Sequence, residues 1–201
     1  MYIYIKRILD ILFLVIFSPI LLPVMLLLSI AVKLSSPGPV FFTQKRVGKD
    51  CTFFTIYKFR SMRIDTPKDV PTHLLQNPET FITPVGRFLR KSSLDELPQI
   101  INILKGEITL VGPRPALWNQ DDLVAEREKY DANSITPGLT GLAQVKGRDE
   151  LPIDVKAKFD GEYRANMGFL LDIKILFLTF IAVFRSDGVV EGGTGSFRTK
   201  N

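Results

Sequence analysis

The apolar run between residues 11 and 32 constrains this chain more than any other feature. From Ile8 to Val32 the one charged residue is Asp10, and the 22 residues after it carry no charge. At about 1.5 Å per helical residue, that length is enough to cross a hydrocarbon core of about 30 Å. The run is too long for the apolar region of a secretory signal, and no small-residue cleavage site precedes the basic segment beyond it. Ser18-Pro19 lies near its middle and Pro23 follows one turn later. Each proline removes a backbone donor and crowds the carbonyl four residues back, which predicts a kink. Lys6 and Arg7 precede the run, while Lys33, Lys45, Arg46 and Lys49 follow it. Positive flanks on both sides leave two readings: a spanning helix, or a re-entrant hairpin that keeps both flanks on the cytoplasmic side.

The rest of the composition narrows the chemistry. At 46% apolar and 23% charged residues the chain is not disordered. A net charge of +5 and a pI near 9.3 point to an anionic partner: nucleic acid, anionic lipid or a phosphate-bearing substrate. A single cysteine, Cys51, excludes an internal disulfide framework and any multi-cysteine zinc site. A single histidine, His73, excludes a two-histidine metal site and falls in a proline-containing loop, where it reads as a solvated bystander. Acid–base or nucleophilic work therefore rests on carboxylates, lysines and arginines, and any metal is expected to be hard-ligated Mg²⁺ or Mn²⁺. Neither a Walker A sequence nor a dinucleotide-binding glycine fingerprint is present.

Beyond the apolar run, Ser35-Ser36-Pro37-Gly38-Pro39 marks a turn. Val40–Gln44 and Thr52–Tyr57, rich in aromatic and β-branched residues, flank Gly48-Lys49-Asp50 and predict a β-hairpin. Residues 64–82 read as a long polar loop, Val85–Lys91 as a short basic amphipathic segment, and Leu97–Leu104 as a short apolar helix ended by Gly106. Gly112-Pro113-Arg114-Pro115 is a rigid turn, Leu117–Tyr130 a charged helix, and Pro137–Gly141 a turn entering a short strand. Phe169–Arg185, interrupted by Asp172 and Lys174, predicts an amphipathic helix in the membrane interface or a core helix. The glycine-rich tail from Ser186 predicts a mobile end.

The stretch Arg87–Gln99 carries the sharpest chemical signal. Asp95 and Glu96 follow Arg87, Arg90 and Lys91 and precede Pro98, a residue suited to a first helical turn. A helix start favours ionised carboxylates and attracts phosphate. Ser93 and Glu96 also have capping-box spacing, so two readings stand: a capped helix start, or an anionic nucleophile beside cations able to hold a diphosphate with Mg²⁺. A second cationic group, Lys45, Arg46, Lys49, Lys58, Arg60 and Arg63, interleaves with Phe53, Phe54, Tyr57 and Phe59. That pattern fits base stacking on a nucleic acid or a half-buried strand. Arg114, held between two prolines, suits a bidentate fork to phosphate or carboxylate. Gln144, Lys146 and Arg148 form the last polar group.

Taken together, six segments in order resemble the bacterial sugar transferase family, specifically its small monotopic phosphoglycosyl transferases. They are Lys6–Asp10 with Ser18-Pro19, Pro37–Gly48, Tyr57–Arg63, Ser93–Gln99, Leu110–Pro115 and Pro137–Val145. The resemblance implies a mainly helical α/β fold: a re-entrant helix-break-helix over 1–34, broken at Ser18-Pro19, and a cytosolic catalytic domain over 35–185 with interfacial amphipathic helices and a short hairpin. Residues 186–201 are then a flexible tail. It implies transfer of a phosphosugar from a UDP-sugar to polyprenol (undecaprenyl) phosphate with release of UMP, as a first membrane step of glycoconjugate assembly. By the same resemblance Asp95 is the nucleophile of a covalent phosphosugar intermediate and Glu96 its dyad partner, and both hold Mg²⁺. Lys58, Arg60, Arg114 and Arg148 match the cationic positions around the phosphates, joined by Arg87, Arg90 and Gln144. Asp160 and Tyr163 fit the family's Asp-x-x-Tyr spacing, while Gly168 stands where a serine is more usual. The implied location is the cytoplasmic face of the bacterial inner membrane, with both termini cytoplasmic and inner-leaflet phospholipids as neighbours. Nucleic acid is not an implied partner, and a homodimer or contact with downstream glycosyltransferases is compatible with the layout. The readings from other classes are a membrane-tethered nucleic-acid-binding module, motivated by the basic aromatic stretch, and a bitopic scaffold whose carboxylates only cap a helix.

Overall fold

The apolar run forms most of a single long helix, α1, from Tyr2 to Ser35, in a computed structural model that describes residues 2–67, 77–147 and 151–185. Helix assignment continues through Ser18, Pro19 and Pro23, so the expected break is not a gap in helical structure. Ser18 explains part of this. Pro19 cannot donate to Val15, and the Ser18 hydroxyl donates to that carbonyl instead, at 2.8 Å. Most of α1 is exposed and apolar, including Ile16, Ile20, Leu22 and Leu26. One stripe is not: Lys6, Asp10, Leu14 and Val32 are buried, and Leu21, Met25 and Leu28 pack between them against the rest of the protein. The three-or-four-residue spacing of that stripe is the helical period, so one face of α1 docks and the other stays open.

The expected hairpin is present as β1 (Phe41–Val47) and β2 (Phe53–Phe59), antiparallel with Phe41 opposite Phe59. Asp50 and Cys51 take positive φ in the connection. Helix α2 (Pro84–Lys91) follows, capped by Thr83, whose hydroxyl accepts from the Gly86 amide at 2.9 Å. A 3₁₀ segment, Leu94–Gln99, leads into α3 (Ile100–Lys105), which ends at Gly106 in the left-handed region at φ 82°. The segment expected as one apolar helix over Leu97–Leu104 is therefore a 3₁₀ turn joined to a short α-helix.

Strand β3 (Thr109–Val111) pairs in parallel with β4 (Gly138–Thr140). Between them lies α4 (Asp121–Glu128), and after them come α5 (Leu142–Gly147), α6 (Ile153–Asn166) and α7 (Phe169–Arg185). Gly138 is required where the two strands meet, because a Cβ there would lie 2.1 Å from the Gly112 amide nitrogen. The main core joins Leu14 of α1 to Ile103, Val111, Leu142, Tyr163 and Ile175. A second cluster joins Val32 to Phe59 and Leu89, each contributing about 1.5–3 kcal/mol on burial. Helix α7 buries Asp172 and Ile175 and exposes Leu170, Ile173, Phe177 and Phe180, so it is both a core helix and an apolar surface. The tail from residue 186, His73 and Arg148 lie outside the described residues.

Candidate active site

Asp95 and Glu96 sit in the first turn of the 3₁₀ segment, and the way into that turn is unusual. Ser93 takes left-handed geometry at φ 56°, uncommon for a residue with a Cβ, and turns the chain sharply after α2. A capping serine needs extended φ/ψ. Ser93 lacks it and makes no side-chain cap, so the capping-box reading is corrected. The segment is anchored from below by Asn102, fully buried. Its amide group donates to the Thr55 carbonyl and to Glu107, both at 2.7 Å, and its oxygen accepts from the Tyr57 amide at 3.1 Å. One side chain thus ties β2 to α3 beside the carboxylates.

The two carboxylates differ in how they are held. Glu96 Oε1 accepts from Lys58 Nζ at 2.7 Å and from Arg114 at 2.9 Å. Successive strand residues face opposite ways, so β2 can send Phe59 into the core and Lys58 to Glu96. Burial pushes the Glu96 carboxyl up, but the charges and hydrogen bonds of Arg114 and Lys58 outweigh it and hold the group well below the usual carboxylate range. Asp95, 9% exposed, has no hydrogen-bond or ion-pair partner among the described residues. Burial pushes its carboxyl above the ordinary value and the charge of Glu96 adds to this, against the pull of Lys58, Arg90 and Arg114. A carboxylate so placed is poorly satisfied by the described residues and available to something else.

Both carboxylates open into a cavity of about 990 Å³, within the range of small-molecule sites. Arg90, Arg114, Gln144 and Asp160 also line it, together with apolar groups from α1 and α7 such as Phe13 and Leu176. Other expected site residues are engaged in contacts of their own, Arg60 and Asp160 in the cavity wall and Arg87 and Tyr163 away from it. Arg60 is buried and its guanidinium donates to the carbonyls of Ser36 and Pro37, clamping the connector after α1 rather than reaching the carboxylates. Arg87 is on the surface, paired with Glu79 at 3.1 Å. Tyr163 donates its hydroxyl to the Val111 carbonyl at 3.0 Å and to Asp172 at 2.7 Å, within the core and away from the cavity lining. Asp160 pairs with Arg127 at 2.7 Å. The aromatics of the basic stretch do not form an open stacking row: Phe59 is buried, Phe54 packs on the main core, and Phe53 lies under Lys45 at 3.9 Å.

Three buried polar residues emerge to which the sequence reading assigned no role. Asn102 interrupts the apolar run Ile100–Leu104, and Asp172 interrupts α7. Each is a polar residue inside an apolar segment, which was the available signal. Arg127, in the highly charged α4, carried none.

The matches to known proteins bear on this geometry directly. Residues 1–186 match the family described as bacterial sugar transferase. The chain belongs to the bacterial sugar transferase family. It is 42% identical over 169 residues to the uncharacterized sugar transferase EpsL of Bacillus subtilis, covering 84% of this chain and 82% of that protein. It is 40% identical over 192 residues to the UDP-glucose:undecaprenyl-phosphate glucose-1-phosphate transferase of Escherichia coli, covering 89% of this chain but 40% of that one. It is 38% identical over 193 residues to the UDP-N-acetylgalactosamine-undecaprenyl-phosphate N-acetylgalactosaminephosphotransferase of Aeromonas hydrophila, covering 93% and 45% respectively. This bacterial sugar transferase thus spans less than half the length of the two relatives named for a reaction. The enzyme class carried by those names is transfer of a substituted phosphate group. With family membership, the long apolar helix marks a membrane-associated protein.

Proposed function

We propose that the protein transfers a phosphosugar from a UDP-sugar to a polyprenol phosphate through a covalent intermediate on Asp95. The observation that carries this is the asymmetry of the pair: Glu96 is locked by two cations through hydrogen bonds, while Asp95 faces the cavity with no hydrogen-bond or ion-pair partner among the described residues. In the first step an Asp95 carboxylate oxygen forms a bond to the sugar-bearing phosphorus. The phosphoanhydride bond breaks and UMP leaves with the electron pair. In the second step a phosphate oxygen of the polyprenol phosphate attacks the same phosphorus, the acyl-phosphate bond breaks, and the Asp95 carboxylate is restored. Arg90 and Arg114 offer charge to the phosphates, and Lys58 with Arg114 keeps Glu96 ionised throughout. Asp95 and Glu96 are hard oxygen donors, and no cluster of three or more metal-binding side chains exists among the described residues. That donor set suits Mg²⁺, which is typically held by one or two carboxylates plus substrate phosphates and would neutralise charge on the diphosphate.

The sugars in the relatives' names differ, so the test is a panel. UMP release is measured from several UDP-sugars with and without undecaprenyl phosphate and Mg²⁺. A sugar-dependent release is expected; no release with any sugar would overturn the reading.

We further propose that α1 enters and leaves the membrane by the cytoplasmic face. At 34 residues it is about 51 Å long, enough to span. Yet Asp10 accepts from Thr109 near one end, and Val32 packs on Phe59 and Leu89 near the other, all within one packed body. A spanning path would separate those partners by about 30 Å of hydrocarbon. Cysteines at Tyr2 and Thr43 in a Cys51→Ser background are expected to be labelled only after the cytoplasm is opened. Labelling of Tyr2 from outside intact cells would make the helix spanning.

A further inference from the structure

Arg114 reaches Glu96 from a segment that is poorly equipped to hold itself. In Pro113-Arg114-Pro115 two of three residues have no backbone N–H, so the carbonyls are the main handles left for fixing it. All three are taken. The Pro113 carbonyl accepts from the Gly138 amide at 2.8 Å, the Arg114 carbonyl from Arg127 at 2.9 Å, and the Pro115 carbonyl from Arg46 at 3.1 Å. Two of these three donors are arginine side chains from distant elements, β1 and α4. Arg127 is itself aimed: its Nε donates to Asp160 at 2.8 Å, and both side chains are almost fully buried, at 8% and 2% exposure. Arg46 is aimed by Gln44, which accepts from it at 2.7 Å.

We propose that Arg127, held by Asp160, and Arg46 form a two-arginine clamp on the carbonyls of Arg114 and Pro115, fixing where Arg114 presents its guanidinium to Glu96 and the substrate diphosphate. They are positioning residues in this account. Asp160, expected to bind substrate, lines the cavity and in this account is also the buried counter-ion that orients Arg127. The Arg127–Asp160 pair joins α4 to α6, and Gly161 beside it leaves room for Tyr130 just beyond α4, where a Cβ would come within 2.4 Å of that side chain. It rests on the phosphosugar-transfer reading, which gives Arg114 its substrate.

The rival is that Arg46 and Arg127, which also border the cavity, touch the substrate themselves. A double-mutant cycle separates the two, because groups that act through one another are non-additive while independent contacts add. Arg127→Gln, Arg114→Gln and the pair are compared in nanodiscs for kcat and KM of UMP release, for UDP affinity by calorimetry, and for melting temperature. Arg127→Gln alone is expected to lower kcat/KM about 10–100-fold. In the Arg114→Gln background it is expected to lower it less than twofold further, while the melting temperature still falls. Arg46→Lys is expected to retain more activity than Arg46→Gln, since an ammonium can still donate to the Pro115 carbonyl. Full additivity of Arg127→Gln with Arg114→Gln would overturn the clamp in favour of direct substrate contact. Unchanged kcat/KM in Arg127→Gln would also overturn it. Wild-type protein that neither binds UDP nor releases UMP would instead remove the functional reading, and the clamp with it.

Discussion

Asp95→Asn is expected to reduce turnover by at least a thousandfold while leaving the fold intact. The amide keeps the carboxylate's shape but not its charge or nucleophilic oxygen, and Asp95 makes no hydrogen bond or ion pair among the described residues whose loss would unfold the site. A thousandfold loss is a barrier increase of about 4 kcal/mol, at about 1.36 kcal/mol per decade. Glu96→Gln is expected to be crippled by a different route. Its neutral side chain leaves Lys58 and Arg114 without the carboxylate they share at 2.7 and 2.9 Å, so the cations lose their fixed geometry. The two roles separate when enzyme is incubated with labelled UDP-sugar and Mg²⁺ but no lipid acceptor, quenched and mapped by mass spectrometry. UMP is expected in amounts equal to the enzyme, with a phosphosugar mass on the Asp95 peptide, and slow accumulation of the same adduct is expected in Glu96→Gln. An adduct on Glu96, or UMP released only with acceptor and no adduct at all, would reassign Asp95 to metal binding or general base.

The parts of the fold visible in the sequence are those set by local chemistry. The hairpin follows from aromatic and β-branched runs around Gly48-Lys49-Asp50, and the end of α3 from a glycine that can take φ 82° at residue 106. The cationic surroundings of Asp95 are partly local as well, since Arg90 lies five residues upstream and Arg114 is marked by its two prolines. What escaped is set by contacts distant in sequence. The parallel pair Thr109 with Gly138 joins two three-residue strands, too short to show any periodicity. The Ser93–Glu96 spacing suggested a cap, but spacing cannot report that Ser93 is left-handed. Asp160 and Tyr163 were grouped by their shared motif. Three residues along α6 they face different partners, one turned to Arg127 and the cavity, the other to Asp172 and the core. A shared motif gives residue types and spacing; which partner each side chain meets is set by the folded geometry.

That core partner sets the second large expectation. Asp172 collects Lys6, the Tyr2 hydroxyl at 2.7 Å and the Tyr163 hydroxyl at 2.7 Å, and so joins the start of α1 to α6 and α7. Lys6 is 11% exposed in its side chain and Asp172 9%, so removing one partner leaves a charge buried without compensation. Asp172→Leu is expected to destabilise the docking of α1 by about 3–5 kcal/mol, the usual cost of breaking a buried pair from one side. Adding Lys6→Met to Asp172→Leu removes the stranded charge and is expected to restore a large part of that loss. The remainder belongs to the two tyrosine hydroxyls, and Tyr163→Phe in the same background should recover some of it. Hydrogen exchange in nanodiscs locates the effect. In Asp172→Leu, protection is expected to fall along the first three turns of α1, which keep only Asp10 with Thr109 and Leu110 and Arg7 on the Ile103 and Leu104 carbonyls as polar ties, and to persist around Val32 on its separate cluster with Phe59 and Leu89. Equal loss at both ends would show that α1 docks as one unit. If Lys6→Met and Asp172→Leu instead added their separate costs, the pair would not be the contact that secures the helix.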